Sequence, residues 1–186
     1  ACLDSIGGAR GRDDWEVVIV DDGSSDDSVA VIHASLEALG LTDRAQVIEQ
    51  ENGGPGAARN TAVKAARGTW IVCLDSDDLW LPWTLETLLD MLGAHPDTQA
   101  GFLRQTSFTD PDAIERPEEM PPTVILYDGF LDAFLHEQSG LAFGTCIFLC
   151  KRSLFLEVGG FSTGVRVAED LDLFLRLPLS SPFRVL

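Results

Sequence analysis

Short apolar runs rich in β-branched residues alternate with segments of helical character through residues 1–104. The sequence predicts strands at Trp15–Val20, Val47–Gln50 and Thr69–Leu74, with helices at Asp27–Leu39 and Ala57–Ala66 between them. Continuous apolar runs of this length are typical of strands that are buried on both faces of a parallel sheet. The alternation therefore predicts an α/β fold of Rossmann-like type, with a mostly parallel central sheet flanked by helices.

The second part of the chain has a weaker pattern, with a polar, Pro-rich loop at 105–122. We expect strands near 101–104, 124–127 and 145–150, and helices near 82–92, 129–136, 153–158 and 168–177. The chain opens inside a helical segment, and Phe183–Leu186 has the character of a strand that is just beginning. These features predict one domain over residues 1–186 that is truncated at both ends.

The chain is strongly acidic, with 30 Asp and Glu residues against 13 Lys and Arg residues and a net charge of −17. This charge argues against a nucleic-acid partner, because phosphate backbones bind to basic surfaces. It also argues against unaided docking on anionic lipid. An acidic protein that handles a phosphorylated substrate needs a cation between the two.

The four cysteines have no CxxC spacing and no histidine close by in the sequence. Cys73, Cys146 and Cys150 lie inside apolar runs, whereas Cys2 is near the start of the chain. We interpret Cys73, Cys146 and Cys150 as buried thiols in a reducing compartment rather than as disulfides or zinc ligands. The predicted location is therefore the cytoplasm.

The first predicted strand ends in a cluster of polar residues, Asp21-Asp22-Gly23-Ser24. Ligands of parallel α/β sheets bind beyond the carboxyl ends of the strands. Two carboxylates at such an end can accept hydrogen bonds from a base or a ribose, and the following helix N-terminus favours anions. The alternative is an ordinary tight turn that caps the helix.

The second cluster is the glycine-rich loop Asn52-Gly53-Gly54-Pro55-Gly56, with Arg59 one helical turn further on. Glycines allow the backbone to approach a ligand closely, and a guanidinium suits phosphate. The spacing is neither a dinucleotide-binding fingerprint nor a P-loop. A nucleotide-binding loop and an ordinary loop beside a surface arginine both remain open.

The third cluster, Asp75-Ser76-Asp77-Asp78, places three carboxylates within four residues at the end of an apolar strand. Like charges this close destabilise one another unless a cation lies between them. Hard oxygen ligands suit Mg²⁺ or Mn²⁺, which also take phosphate oxygens of a substrate. The sequence therefore predicts a divalent cation site, with Trp80 beside it; the alternative is a solvated acidic turn.

The fourth cluster, Glu169-Asp170, begins a predicted helix after the glycine-rich segment at 159–164. A carboxylate at this position could take a proton from an acceptor hydroxyl. The alternative is acidic residues placed favourably against the helix dipole.

In this order, the four segments resemble the GT-A-fold glycosyltransferases of family 2. The matching stretches are VVIVDDGSSDDS at 17–28, ENGGPGAARNTA at 51–62, WIVCLDSDDLWLP at 70–82 and GGFSTGVRVAEDLDLFLRL at 159–177. The resemblance implies a GT-A fold with a nucleotide-binding half at 1–104 and an acceptor-side half at 105–186. It also implies that the family's first strand, with part of the nucleotide pocket, precedes the residues of this chain.

The resemblance further implies a role for individual residues. Asp170 is expected to be the general base, and a DxD metal site is expected at Asp75 and Asp77. The implied nucleotide-binding set is Asp21, Asp22, Ser24, Asn52, Gly53, Arg59 and Asp75, and the implied acceptor-side residues are Glu169 and Trp80. The expected reaction moves a sugar from a nucleotide-sugar donor, a UDP-sugar, to an acceptor hydroxyl with inversion, with Mg²⁺ or Mn²⁺ as cofactor.

The resemblance also implies the biological partners. The acceptor is expected to be a glycan, a lipid-linked molecule or a small molecule of cell-envelope polysaccharide biosynthesis. The protein is expected at the inner face of the cytoplasmic membrane through regions outside this chain. Three alternatives are a sugar-nucleotide nucleotidyltransferase, a non-catalytic sugar-nucleotide or glycan binder, and a signalling receiver domain, in which Asp75 would accept a phosphoryl group.

Overall fold

The structure, a computed structural model, describes residues 1–7, 14–103, 125–128, 130, 132–133, 148–163, 168–177 and 183–185. No helix of this described part is long and apolar enough to cross a membrane. In chain order the elements are α1 (Cys2–Gly7), β1 (Val17–Asp21), α2 (Ser28–Leu39), a 3-10 turn (Thr42–Arg44), β2 (Ala45–Glu49), α3 (Pro55–Ala65), β3 (Trp70–Val72), α4 (Thr84–Ala94), β4 (Ala100–Phe102), β5 (Ile125–Tyr127), β6 (Phe148–Lys151), α5 (Arg152–Glu157), α6 (Glu169–Arg176) and β7 (Phe183–Val185).

The strands form two sheets. β1 and β2 pair in parallel, from Val17 opposite Ala45 to Asp21 opposite Glu49. The second sheet has the order β3-β6-β4-β7-β5, in which β4 and β7 are parallel and the other three pairs are antiparallel. The α/β prediction is confirmed, while the second sheet is mixed because β5 and β6 run against the other strands.

Local sequence explains where α2 and α3 begin and end. Gly40 ends α2 in the left-handed conformation, with φ 67°, and its N–H donates to Glu37 O at 3.1 Å. Pro55 begins α3 at the position where a missing N–H has no cost. The sequence predicts a start at Ala57, so the observed helix gains its first two residues, Pro55 and Gly56, from the glycine-rich loop. The helix predicted after Pro82 is α4, which begins at Thr84.

Four aromatic rings join the second sheet to α6. Phe174 of α6 lies with its ring centroid 4.9 Å from that of Phe102 on β4 and 4.9 Å from that of Phe148 on β6. Phe130 packs 5.3 Å from Phe174, and all four side chains are buried. Full burial of such a side chain stabilises a fold by about 1.5–3 kcal/mol. This cluster therefore anchors α6, whose first turn carries Glu169 and Asp170.

Cys2, Cys73 and Cys150 are free thiols, and Cys146 lies outside the described residues. Burial raises the pKa of the Cys73 thiol to about 11 and the pKa of Cys150 well above its usual value. Both thiols are therefore protonated and unreactive at neutral pH. The reducing compartment stays a prediction, as does the loop at 105–122, which the described residues do not include.

Candidate functional site

Asp22, directly after β1, organises the glycine-rich loop that leads into α3. Its Oδ1 accepts hydrogen bonds from Gln50 Nε2 at 2.6 Å and from the Gly53 N–H at 2.9 Å, and its Oδ2 accepts the Gly54 N–H at 2.7 Å. Thr61 Oγ1 donates to Gln50 Oε1 at 2.7 Å, which fixes that amide. A carboxylate has about four acceptor positions. The loop therefore uses most of the capacity of Asp22 and leaves about one position for a ligand.

Asp21 and Ser24 belong to the turn after β1. Asp21 is buried, and its Oδ2 accepts the N–H of Ser24 at 3.0 Å. Gly23 adopts φ 82°, and a Cβ at this position would stand 3.0 Å from the backbone nitrogen of Asn52. Glycine is therefore required where the two loops touch. Ser24, Asn52 and Gly53 are exposed, and their contacts with a nucleotide stay a prediction.

The same hydrogen bonds set the charge of Asp22. Partial removal from water raises the pKa of a carboxyl, but the donors of Gly53, Gln50 and Gly54 favour the charged form and hold the pKa of Asp22 below its usual value. A carboxyl whose pKa is lowered by folding stabilises the fold at pH values above its unfolded pKa of about 3.9. That contribution is lost as the pH falls through the lower, folded pKa.

Asp22→Asn should reduce the free energy of unfolding at pH 7 by about 1–2 kcal/mol, because an amide nitrogen then faces the N–H groups of the loop. Urea unfolding from pH 7 down to pH 2 measures this loss, which should shrink below about pH 4 as the wild-type carboxyl is protonated. Asp27→Asn is the matched control, since Asp27 is exposed and its side chain makes no capping hydrogen bond. Equal losses in the two variants would contradict the role of Asp22.

Arg59, in the second turn of α3, pairs with acids from two distant segments. Its Nη2 donates to Asp75 Oδ1 at 2.7 Å, and its Nη1 reaches Glu169 Oε1 at 3.4 Å. The first contact is a strong charge-assisted hydrogen bond, and the second is at the long end of the range. The Arg59 side chain is only 16% exposed. One guanidinium therefore joins the acidic strand end after β3 to the start of α6.

The surroundings of Arg59 keep it charged. Burial lowers the pKa of an arginine, but the hydrogen bond and charge of Asp75 outweigh burial here and raise the pKa of Arg59. The guanidinium carbon lies 5.5 Å from the ring centroid of Phe161. A Cβ on Gly56 would stand 3.2 Å from the Phe161 Cβ, so a glycine lets α3 approach this ring closely. The contact of Arg59 with base or phosphate stays a prediction.

The acidic strand end forms a turn in which the Asp78 N–H donates to Asp75 O at 3.1 Å. Asp77 is exposed. Among the described residues, no group of three or more His, Cys, Asp or Glu side chains is placed to hold a metal ion. Mg²⁺ in nucleotide sites is usually held by one or two carboxylates together with water and substrate phosphates. Because Arg59 takes Oδ1 of Asp75, a cation would be held by Oδ2 of Asp75 and by the Asp77 carboxylate, and this metal site stays a prediction.

Helix α1 packs against this acidic turn. Ser5 Oγ accepts the backbone N–H of Trp80 at 3.1 Å, and Cys2 Sγ donates to Asp75 O at 3.5 Å. Trp80 is half-buried, and its indole N–H is buried without an acceptor among the residues that the structure describes. The structure thus adds α1 to the neighbourhood of the site, while the acceptor-side role of Trp80 stays a prediction.

Asp170 lies in the first turn of α6 and is partly exposed, with its Oδ1 accepting the Leu171 N–H at 2.7 Å. Ala168, just before the helix, has φ 61°, a left-handed conformation that costs an alanine about 1–2 kcal/mol. Strain of this kind is often found at functional sites. Glu169, predicted on the acceptor side, contacts Arg59, predicted on the nucleotide side, so the two predicted halves of the site meet at this residue pair.

The contacts that hold α6 against the turn at 158–162 were not predicted from the sequence. Arg176 Nη2 donates to Asp172 Oδ2 at 2.8 Å and to Gly160 O at 2.7 Å, and its Nη1 donates to Val158 O. Ser162 Oγ also donates to Asp172 Oδ2, at 2.7 Å. The Asp172–Arg176 pair has the helical i, i+4 spacing and was visible in the sequence. The hydrogen bonds of this pair to Val158, Gly160 and Ser162 have no recognisable pattern in the sequence.

The family model described as "Glycosyl transferase family 2" matches residues 1–161 of the chain. The chain belongs to glycosyl transferase family 2. The match includes the clusters at Asp21–Ser24, Asn52–Arg59 and Asp75–Asp78, whereas Glu169 and Asp170 lie beyond it. The family predicted from the sequence is confirmed, and the match favours a glycosyltransferase over the receiver-domain and nucleotidyltransferase alternatives.

Several curated proteins are similar in sequence to this chain. "Succinoglycan biosynthesis protein ExoU" from Rhizobium meliloti is 34% identical over 168 residues, which are 87% of this chain and 48% of that protein. An uncharacterized glycosyltransferase from Haemophilus influenzae is 28% identical over 181 residues, 92% of this chain and 55% of that protein. The chain thus spans about half the length of these relatives.

Solved structures show the same fold. TarS 1–349 from S. aureus superposes with a TM-score of 0.77 at 21% identity over 100% of this chain and 52% of that chain. The mannosyltransferase PcManGT from Pyrobaculum calidifontis, in complex with GDP-Man and Mn²⁺, superposes with a TM-score of 0.69 at 23% identity over 97% of this chain and 48% of that chain. The GT-A fold predicted for this member of glycosyl transferase family 2 is therefore confirmed.

Proposed function

We propose that the protein transfers a sugar from a UDP-sugar to an acceptor hydroxyl, with a divalent cation and with inversion at the anomeric carbon. The observation that carries this proposal is the pairing of Arg59 with both Asp75 and Glu169, because it brings the acids of the donor side against the helix of Asp170. Family membership supports the reaction class. Structural neighbours in complex with UDP, with UDP-GlcNAc, and with GDP-Man and Mn²⁺ support the donor class.

The donor would bind where β1, the glycine-rich loop and α3 meet. Asp22 holds Gly53 and Gly54 at the start of α3, and a helix N-terminus offers free N–H groups and a partial positive charge to phosphates. Asp21 and Asp22, with Ser24, Asn52 and Gly53, form the proposed contact surface for base and ribose. Arg59 places a fixed positive charge at the same edge of the protein.

Asp75 and Asp77 would hold the divalent cation, Mg²⁺ or Mn²⁺. The bound cation would offset the negative charge that builds on the diphosphate as it departs. Arg59 stays paired with one oxygen of Asp75 and so orients that carboxylate for ligation.

Asp170 would accept the proton of the acceptor hydroxyl. The acceptor oxygen then forms its bond to the anomeric carbon while the bond from that carbon to the diphosphate oxygen breaks, and the nucleoside diphosphate leaves with the electron pair. Attack from the side opposite the leaving group inverts the anomeric centre. Glu169, held by Arg59, fixes the first turn of α6 beside the donor side while this happens.

The acceptor is proposed to be a glycan, a lipid-linked molecule or a small molecule used in cell-envelope polysaccharide synthesis, as the name of the succinoglycan biosynthesis relative suggests. Trp80 and Glu169 would lie on its side of the site. The proposed place of action is the cytoplasm, with peripheral association at the inner face of the membrane through other regions of the full-length protein.

Release of nucleoside diphosphate from UDP-GlcNAc and GDP-mannose by the full-length protein tests this function. We expect slow release from the UDP-sugar with water as acceptor, stimulation by Mn²⁺, loss with EDTA, and a product of inverted anomeric configuration by proton NMR. Release that is unaffected by EDTA would contradict the metal dependence. Retained configuration would contradict the single displacement with Asp170 as base, and release from neither donor would contradict the transfer itself.

A further inference from the structure

Asn60 holds the backbone of a residue 101 positions away with both ends of its amide. Its Nδ2 donates to Phe161 O at 2.8 Å, and its Oδ1 accepts the Phe161 N–H at 2.8 Å. A side-chain amide has one donor group and one acceptor group. Asn60 uses both on the backbone of Phe161, in the way that a residue of a neighbouring β-strand pairs with its partner. Two bonds to one residue fix its direction as well as its distance.

The partner segment is shaped to receive this amide. Gly160 has φ 68°, and a Cβ on it would stand 2.5 Å from Asn60 Oδ1 and 2.9 Å from Phe155 Cε1. Any other residue at position 160 would therefore push Asn60 or Phe155 away. Phe161 is buried, with its ring 5.5 Å from that of Phe155 and its Cβ close to Gly56 of α3. The contact packs α3 closely against Gly160 and Phe161, in the turn that precedes α6.

The segment that Asn60 holds is in turn bound to α6. Arg176 of α6 donates to Gly160 O, and Ser162 donates to Asp172 of α6. A shift of Gly160 or Phe161 therefore moves the helix that carries Asp170. The neighbouring residue on α3, Arg59, belongs to the donor side through Asp75. Asn60 thus stands between the donor site and the proposed base.

We propose that Asn60 is a positioning residue that sets the place of Asp170 relative to the donor site by holding the Phe161 backbone. Asn60 acts through Phe161 and the turn before α6, and it touches neither donor nor acceptor. The inference rests on the proposed function, because it assigns Asn60 a part in the same transfer. Displacement of a reacting group by about 1 Å is enough to lower a rate about 10²-fold.

Asn60→Ala in the full-length protein should lower kcat by about 10–100-fold, while Kd for UDP with Mn²⁺ and KM for the UDP-sugar change by less than about twofold. Calorimetric titration with UDP and Mn²⁺ gives the fraction of binding-competent protein, so kcat is expressed per competent site. Asn60→Ser, which keeps a small hydroxyl, is measured in the same way in case the alanine variant does not fold. Lys64→Ala is the control, since Lys64 lies exposed on the same helix.

An unchanged kcat per competent site in either folded variant would overturn the proposal, because a purely structural asparagine lowers only the competent fraction. Loss of UDP affinity in step with kcat would also overturn it. Hydrogen exchange in the wild type covers the case in which neither variant folds: UDP with Mn²⁺ should slow exchange at 159–163 and 168–177, and no slowing would overturn the proposal. If the wild type releases nucleoside diphosphate from neither nucleotide-sugar, the proposed function fails. The same exchange measurement then still shows whether binding of UDP with Mn²⁺ slows exchange in α6.

Discussion

Asp170→Asn should lower the rate of sugar transfer by about 10²–10⁴-fold, the usual contribution of a general base, and leave the affinity for UDP with Mn²⁺ unchanged. The amide cannot accept the proton of the acceptor hydroxyl, but its oxygen can still accept the Leu171 N–H as the carboxylate does. The first turn of α6 should therefore keep its structure, since Glu169 and Asp172 retain their contacts with Arg59 and Arg176. The measurement is kcat per UDP-binding site in the full-length protein.

Glu157→Gln is the matched control for this variant. Glu157 ends α5 and is exposed, so the substitution removes one carboxylate that is not part of the proposed site. Near-normal turnover of Asp170→Asn would refute the assignment of the base. A parallel loss of UDP affinity would instead place Asp170 on the donor side.

The first strands along the chain were predictable because their own apolar, β-branched side chains distinguish them in the sequence. The run from Val17 to Val20 is β-branched throughout, and the structure places it in β1, parallel to β2. The ends of the elements were less predictable, as α3 begins at Pro55 rather than Ala57. The mixed order of the second sheet was not predictable, because β6 pairs on both sides with strands far from it in the sequence.

The electrostatics of the acidic strand end were predicted in part. From the sequence, a divalent cation alone was predicted to offset the charge of the crowded carboxylates, whereas the structure also places the guanidinium of Arg59 on Asp75. Arg59 lies on α3 and Asp75 follows β3, so no periodicity within one element relates these residues 16 positions apart, and only the fold brings them together. The contact of Arg59 with Glu169 joins residues 110 positions apart, which local patterns cannot encode.

The contacts of Asn60 were likewise not predictable from the sequence. It lies inside the stretch that carried the family resemblance, next to Arg59, yet nothing in its own surroundings distinguishes it from a helical surface asparagine. Its role emerges from the pairing with Phe161 and from the space that Gly160 leaves for it. The sequence therefore pointed to the charged residues that the fold brings together around Arg59, and the fold was needed to find the contacts that hold them in place.

Asp77→Asn should abolish the dependence of donor binding on Mn²⁺ while leaving the fold intact. Asp77 is exposed, so the amide adds no buried unpaired group and stability should change by less than about 0.5 kcal/mol. An amide oxygen is a neutral and weaker ligand than a carboxylate, and Asp75 already shares its charge with Arg59. The cation would then keep a single charged protein ligand and bind weakly.

Calorimetric titration of UDP with and without Mn²⁺, on the full-length wild type, Asp77→Asn and Asp78→Asn, tests the metal-dependent donor site most directly. Asp78→Asn is the control, because it removes the same charge one residue further along the turn. We predict that Mn²⁺ tightens UDP binding by at least about tenfold, or 1.4 kcal/mol, in the wild type and in Asp78→Asn but not in Asp77→Asn. Equal UDP affinity with and without Mn²⁺ in the wild type, or full Mn²⁺ dependence in Asp77→Asn, would contradict this account.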